Sequence, residues 1–242
     1  MPAAEIAKHS ADLPLPRGPY AVPANVVAAD QRRRLLEALP LAIAENGLET
    51  TTVDQIVKIA QVRRNSFYEQ FDDKRDCFAA AYEIAQERLL GVLTFQCYTQ
   101  TGLANRANAA LGAALDLLGR DTVLTRLIII EAPSAGKELA ARHHEWLDRY
   151  GRMLHFAAMG DARIVPPKPS VEPAVVGGIV SRIKQRVLAG ETARLPELCP
   201  ELVQFALSFY GSREPLTAPV GGDSDEPPQP QSPDRSPVLE PV

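Results

Sequence analysis

The sequence predicts an all-α protein, and three observations support this fold class. Apolar residues recur at three- and four-residue spacing through most of the chain, as they do on the buried side of helices. Glycine and proline separate these stretches at positions where helices usually end or begin. No stretch alternates between apolar and polar residues in the way that a half-buried strand does. We therefore expect a small N-terminal three-helix domain followed by a helical bundle.

Composition divides the 242-residue chain into four parts. Residues 1–25 and 211–242 are rich in proline and lack helical periodicity, so we predict a disordered arm and a disordered acidic tail. Residues 26–73 form the predicted helix-turn-helix domain and residues 74–210 the predicted bundle. The tail carries the whole net charge of −4, and the bases of the first domain occur in clusters rather than in excess.

The predicted compartment is the cytoplasm. The three cysteines, Cys77, Cys97 and Cys199, are far apart and form no CxxC motif or disulfide framework. The N-terminus has no apolar signal-peptide segment. The longest strictly apolar run, residues 127–130, is far too short to span a membrane.

The first predicted helix begins between residues 25 and 28 and runs to Asn46. Its buried stripe consists of leucine and isoleucine residues at helical spacing. Pro40 lies inside this stripe, so we expect a kink at that point and not an end. Gly47 is positioned to end the helix.

Two short helices joined by a tight turn are predicted between Thr50 and Lys74. Thr51 or Thr52 can cap the first of them, because either hydroxyl can accept a backbone N–H. The turn falls at Gln61 and Val62, and a second helix runs from Arg64 to about Gln70. Four apolar residues form the inner stripe of the first helix, and two phenylalanines point inward from the second: Val53, Ile56, Val57, Ala60, Phe67 and Phe71.

The outer side of the second helix carries side chains suited to nucleic acid. Arginine, asparagine, serine and tyrosine supply donors for base edges and phosphates. The residues on this side are Arg63, Arg64, Asn65, Ser66 and Tyr68.

Over residues 33–90 the chain resembles the TetR family of bacterial transcription regulators. The residues that carry the resemblance are Gly47, Thr52, Val53, Ile56, Ala60, Val62, Ser66, Phe67, Tyr68, Phe71 and Lys74. Three positions depart from the family pattern, and one of them is Asn65, where the family often has a small residue. Gln61 stands where the family usually has glycine, at a cost of about 1–2 kcal/mol if the residue is left-handed. Arg63 stands where the family usually has a capping serine or threonine.

The resemblance implies a homodimeric transcription regulator, most often a repressor, that binds double-stranded operator DNA. Two recognition helices would enter successive major grooves about 34–36 Å apart, which requires a palindromic operator. Arg64, Asn65 and Ser66 are the candidates for base edges, and Arg63 can exchange roles with Arg64. The candidates for phosphate contacts are Thr51, Thr52, Tyr68 and Lys74.

A long helix capped by Asp72 or Asp73 is predicted over residues 74–100. Further helices are predicted at residues 103–118, 122–132 and 137–159, followed by a proline-rich loop at residues 160–173. Two last helices are predicted at residues 174–189 and 196–210. The long helix would link the two domains mechanically.

The bundle has residues suited to a pocket for a small, mostly apolar effector. His143, Trp146, Tyr150 and Met153 fall on one helix face, and Phe95 and Tyr98 lie near the end of the long helix. These side chains could equally fill the core. The resemblance implies an effector inside the bundle, whose binding changes the separation of the DNA-binding domains and releases DNA.

The last two helices have the pattern of a dimer surface, and the resemblance implies a four-helix interface with their twofold copies. Small residues on one helix would let another helix approach closely, and the final helix has an apolar stripe. Packing within one chain is the alternative. The residues are Gly177, Gly178, Ser181, Leu198, Leu202, Phe205 and Phe209.

Catalytic chemistry is not predicted. The four histidines have no carboxylate or cysteine partner at metal-ligand spacing, so neither a metal nor a cofactor is expected. Gly177 and Gly178 do not belong to a phosphate loop. Two other functions remain open: an effector-independent DNA-binding regulator, and a helical small-molecule binding protein or enzyme that has lost DNA binding.

Overall fold

The all-α fold is confirmed by a computed structural model that describes residues 23–212. The predicted arm at residues 1–25 and the tail at residues 211–242 fall almost entirely outside the described residues. The described chain contains nine α-helices and a single pair of two-residue strands. One continuous hydrophobic core runs from Leu35 in the first helix to Ala206 in the last.

The N-terminal domain consists of α1 (Ala24–Asn46), α2 (Val53–Ala60) and α3 (Arg64–Tyr68). Pro40 lies inside α1, and the helix continues past it because the buried stripe of Leu35, Leu39 and Ile43 holds both halves on the core. Gly47 ends the helix at a φ of 76° and donates its N–H to the carbonyl of Ile43.

Thr52 caps α2 through a reciprocal pair of hydrogen bonds with Gln55. The Gln55 N–H donates to Thr52 Oγ1 at 3.3 Å, and the Thr52 N–H donates to Gln55 Oε1 at 2.8 Å. Gln61 ends the helix in the left-handed conformation, with a φ of 54°. Arg34 Nη2 donates to the Gln61 carbonyl at 3.0 Å, which offsets part of the cost of that conformation.

The long helix α4 (Lys74–Tyr98) belongs to both domains, because it contacts α1 at one end and α5 and α7 in the bundle. Asp73 caps it by accepting the N–H groups of Arg75 and Asp76. The Lys74 ammonium donates to the carbonyls of Leu48, Glu49 and Thr51 at 2.9, 2.7 and 3.0 Å. All three of its N–H donors therefore serve the loop that precedes α2.

The bundle continues with α5 (Leu103–Arg120), α6 (Thr122–Thr125) and α7 (Lys137–Met159). The helix predicted at residues 122–132 is not uniform. After α6 the chain forms a π-helical turn, Arg126–Glu131, and then a 3₁₀ segment, Ala132–Ser134. Apolar periodicity does not distinguish these tighter and looser windings over so short a stretch.

The C-terminal part consists of α8 (Val171–Leu188), a 3₁₀ segment (Thr192–Leu198) and α9 (Cys199–Leu207). The helix α8 begins three residues earlier than predicted, because Pro173 is accommodated in its first turn. The predicted loop contains β1 (Ile164–Val165), which pairs antiparallel with β2 (Gly211–Ser212).

Replacing Lys74 with methionine should reduce the free energy of unfolding. The substitution keeps most of the apolar stem but leaves three carbonyls without their shared donor, at a cost of about 1.5–3 kcal/mol. Lys58→Met is the matched control, since Lys58 is exposed on α2 and its ammonium makes no hydrogen bond within the described residues. Urea unfolding of both variants measures the difference. Equal stability of the two would show that the Lys74 contacts contribute nothing.

Candidate DNA-binding surface and ligand cavity

The start of α3 is exposed, and its outward side chains are Arg63, Arg64, Asn65 and Tyr68. Phe67 is fully buried and Phe71 is buried beneath it, so the inward face of the helix is as predicted. Ser66 was expected on the outer side, but it is buried. In the five-residue helix α3, Ser66 lies on the same inward side as Phe67 and not on the outer side with Arg64. We therefore correct its assignment as a base contact.

Arg64 is held in place by two neighbours on the same surface. Its Nη1 forms an ion pair with Asp54 of α2, and its Nη2 donates to the Tyr68 hydroxyl at 3.3 Å. The guanidinium carbon also lies 5.7 Å from the centre of the Tyr68 ring. The hydrogen bond to Asp54, followed by that to Tyr68, raises the pKa of Arg64. At least three of its five N–H groups remain free for another acceptor.

Sequence reasoning missed Asp54, which lies ten residues before Arg64. Its position in the first turn of α2 had a sufficient structural explanation, since an acid there stabilises the helix N-terminus. Arg63 differs from Arg64 because it has no intramolecular acceptor within residues 23–212, and it provides no cap for α3.

Two predicted phosphate contacts have structural roles instead. The Thr51 side chain is buried, and its hydroxyl donates to the Gly47 carbonyl at 2.7 Å. The Lys74 ammonium is fully engaged by three backbone carbonyls. Neither is available to DNA, whereas Thr52 and Tyr68 remain exposed on the same surface as α3.

A cavity of about 120 Å³ lies inside the bundle. Its walls come from α4, α5, the π-helical turn, α7, α8 and α9. Most of the lining is aliphatic, as at Leu89, Ala110, Ile129 and Ile179. Among the residues proposed from the sequence, His143, Tyr150 and Met153 line this cavity.

A chain of hydrogen bonds connects four buried polar side chains beside the cavity. Tyr150 OH donates to Gln86 Oε1 at 2.5 Å, and Gln86 Nε2 donates to Tyr82 OH at 2.6 Å. Tyr82 OH lies 3.0 Å from His143 Nδ1. Sequence reasoning did not single out Tyr82 or Gln86 as partners, because Tyr82 fits the inner stripe and a glutamine in a helix usually faces solvent.

The other three residues predicted for the cavity lie elsewhere. Phe95 is 67 % exposed and Tyr98 is 84 % exposed, because both residues lie on the outer side of α4. Trp146 is buried, but its indole N–H donates to Glu83 Oε2 at 3.1 Å and its ring packs under Arg149. We therefore correct all three assignments.

In addition to the α4 backbone, two side chains connect the DNA-binding domain to the bundle. Glu131, at the end of the π-helical turn, accepts the Leu48 N–H at 3.0 Å and the Arg126 Nε–H at 3.0 Å. Arg75 donates to the Ala135 carbonyl at 2.6 Å and to Glu49 at 2.8 Å. Ile128 and Ile129 of the same π-helical turn line the cavity. One short segment therefore contacts both the cavity and, through Glu131, the loop before α2.

The exposed face of α8 and α9 contains only part of the predicted dimer surface. Gly177 and Ser181 are accessible, and Phe205 and Phe209 are 38 % and 42 % exposed. Gly178 lies against the ring of Phe205, where an added Cβ would come within 2.9 Å of Cζ.

Leu198 and Leu202 are buried within the same chain. Their side chains fill the core between α5, α8 and α9, so we correct their assignment to the dimer surface.

Residues 23–212 contain no group of three or more His, Cys, Asp or Glu side chains arranged to bind a metal ion. Within the same range, every helix is too short or too polar to cross a membrane.

The three N-terminal helices, with the outer face of α3 exposed, form a helix-turn-helix domain in front of a helical bundle. Residues 35–81 match the family model described as bacterial regulatory proteins, tetR family. This match confirms, over these residues, the resemblance seen in the sequence. No curated protein sequence matches the chain.

Solved structures of TetR-like regulators share the fold across both domains. FadR from Bacillus subtilis, solved in complex with stearoyl-CoA, is 18 % identical with a TM-score of 0.65, and the match covers 73 % of this chain and 97 % of FadR. SmeT, the repressor of the Stenotrophomonas maltophilia efflux pump SmeDEF, is 18 % identical with a TM-score of 0.62. That match covers 84 % of this chain and all of SmeT.

Glu131→Ala should loosen the connection between the domains locally. The Leu48 N–H would lose a charged acceptor, a contact that contributes about 1.5–3 kcal/mol, so its amide exchange should accelerate about tenfold or more. Glu138→Ala is the control, because Glu138 is exposed and its carboxylate makes no hydrogen bond within the described residues. Unchanged exchange at Leu48 would mean that the carboxylate does not hold this amide in solution.

Proposed function

We propose that the protein is a homodimeric transcription repressor that binds a palindromic operator and is released from it by a small molecule in the bundle cavity. It would act in the bacterial cytoplasm. The observation that carries this proposal is the exposed α3 surface, with Arg63, Arg64, Asn65 and Tyr68 turned away from a buried Phe67. A helix with this composition on its outer face suits the major groove.

The contacts to DNA divide into two kinds. Arg64 and Asn65 stand at the end of α3 that enters the groove in this geometry, so we assign them to base edges. Thr52, Arg63 and Tyr68 surround them and suit phosphates. Asp54 orients Arg64, and its negative charge opposes attraction to the DNA backbone, which favours discrimination over affinity.

The dimer would form through the exposed faces of α8 and α9. Gly177 and Ser181 carry little side chain, so a partner helix can approach closely. Phe205 and Phe209 pack edge to face with ring centres 5.3 Å apart and leave an apolar surface beside these small residues. A twofold copy would cover that surface and bring two α3 helices to successive major grooves.

The effector proposal depends on the cavity and its connection to the DNA-binding domain. FadR was solved with stearoyl-CoA, which supports a ligand-responsive bundle in this fold. A ligand that moves Ile128 and Ile129 would also move Glu131, which holds the Leu48 amide. Binding energy in the cavity could then shift the position of the helix-turn-helix and lower its affinity for DNA.

The DNA assignment predicts separate effects on affinity and discrimination. Wild-type protein would first select duplexes from a random library. Arg64→Ala should then weaken binding to the selected duplex by about tenfold or more and weaken binding to a scrambled duplex much less. Arg120→Ala is the control, because Arg120 is an exposed arginine far along the chain, on α5.

Asp54→Asn tests the same assignment from the other partner of the ion pair, because it should raise affinity for DNA while it lowers discrimination. Loss of a negative charge should raise affinity for scrambled DNA, while loss of the Arg64 ion pair should reduce the ratio between selected and scrambled duplexes. Equal losses on both duplexes for Arg64→Ala would make Arg64 a phosphate contact. Failure of the wild type to enrich any sequence would contradict the regulator proposal itself.

The dimer assignment predicts that Ser181→Arg combined with Phe209→Glu gives monomers by light scattering. Both positions are accessible in the protomer, so the substitutions should leave the fold intact and charge the proposed interface. Tyr98→Glu, at an exposed aromatic on α4, is the control. A dimer that survives the double substitution would have its interface elsewhere.

A further inference from the structure

The lining of the bundle cavity contains no Asp, Glu, Lys or Arg side chain. His143 and Tyr150 are its ionisable members, and both environments favour the neutral form. Burial, followed by the nearby charges of His144 and Lys184, lowers the pKa of His143. Burial raises the pKa of Tyr150 well above its usual value. A bound molecule would therefore meet no charge on the cavity wall.

The hydrogen bonds beside the cavity run in a single direction. The amide nitrogen of Gln86 can only donate, so the Tyr82 oxygen accepts from it. His143 Nδ1, at 3.0 Å, is the acceptor within reach of the Tyr82 hydroxyl proton when the ring carries its own proton on Nε2. Tyr150 supplies the proton that satisfies the Gln86 carbonyl.

Because these side chains hydrogen-bond to one another, they have little hydrogen-bonding capacity left for a ligand. Tyr150 OH, Gln86 Oε1 and Tyr82 OH are each engaged inside the network. No buried side-chain nitrogen or oxygen within residues 23–212 lacks a partner. A charged ligand group placed in the cavity would lose its water and gain no counter-ion, which is strongly unfavourable.

Resting on the proposed function, we infer that the effector is a neutral, predominantly hydrocarbon molecule of about the size of one aromatic ring. The network Tyr150–Gln86–Tyr82–His143 is the element that excludes charged ligands of the same shape. The size follows from the volume of about 120 Å³. An apolar engineered cavity of about 150 Å³ remains dry and binds benzene.

The same features separate this cavity from a site for a long acyl chain with a charged head group. A long acyl chain has several times as many atoms as benzene, so it would require the walls to move apart. The volume and the neutral lining both favour a small, uncharged molecule.

A series of single-ring probes tests this inference on the full-length protein. Ethylbenzene, benzoate and benzylamine have similar shapes and are neutral, anionic and cationic at pH 7. Ethylbenzene should raise the melting temperature and bind measurably by calorimetry, whereas the two ions should bind at least tenfold more weakly. Binding of either ion as tight as that of ethylbenzene would overturn the inference, as would absence of ethylbenzene binding.

Two variants connect the binding to this cavity. Ala110→Leu adds bulk to the lining and should abolish ethylbenzene binding. Tyr150→Phe removes the hydroxyl that satisfies Gln86 Oε1, so phenol should gain affinity relative to toluene when its hydroxyl replaces the missing donor. Tyr98→Phe, at an exposed tyrosine, should leave the phenol-to-toluene ratio unchanged. An unchanged ratio in Tyr150→Phe would show that the network does not control selectivity.

The effect of ethylbenzene on DNA binding distinguishes this inference from the proposed function. If ethylbenzene binds and the two ions do not, the inference of a neutral hydrocarbon ligand is supported. Release of the library-selected duplex by ethylbenzene would then support the effector role as well. Binding without release would contradict effector control and leave the ligand class intact.

Discussion

The ammonium group of Lys74 is the contact on which the arrangement of the N-terminal domain depends. It donates to three carbonyls of the loop between α1 and α2 and sits at the first position of α4. The loop, the start of α2 and the helix that enters the bundle are therefore fixed to one another by a single charged group. Glu131 and Arg75 add two further connections at the same junction, so the domains meet through directional polar contacts as well as the shared core.

The sequence was sufficient for the class of fold and for most helix positions. Stripes such as Leu35, Leu39 and Ile43 identify buried faces, and Gly47 identifies an end because of its positive φ. Periodicity says on which side of a helix a residue lies, but not where a flexible side chain turns. Lys74 was therefore expected at a phosphate and is found at backbone carbonyls. Phe95 and Tyr98 look like core by composition, yet they lie on the outer side of α4.

The parts of the site that the sequence could not supply are pairs of residues far apart in the chain. Asp54 meets Arg64, Gln86 meets Tyr150, and Glu131 meets Leu48 across 83 positions. Taken alone, these polar residues have ordinary local explanations. Asp54 suits the N-terminus of a helix, and Gln86 suits a solvent-exposed position. Leu202 shows the reverse case, because its apolar stripe fits a dimer surface and a protomer core equally well. Only tertiary packing separates these alternatives.

The π-helical turn Arg126–Glu131 makes the length of the chain here as important as its side chains. A π turn closes over one residue more than an α turn, so deleting one residue would convert the segment to regular helix. The residues beyond this deletion would keep nearly the same direction relative to α6, because the π turn already holds the extra residue that is removed. A second deletion would rotate everything beyond it by about 100°, since an α-helix has 3.6 residues per turn. Glu131 would then leave the Leu48 amide although no contacting residue had been substituted. A variant shortened by two positions would keep a helical cavity wall and would need a different acceptor at the domain junction.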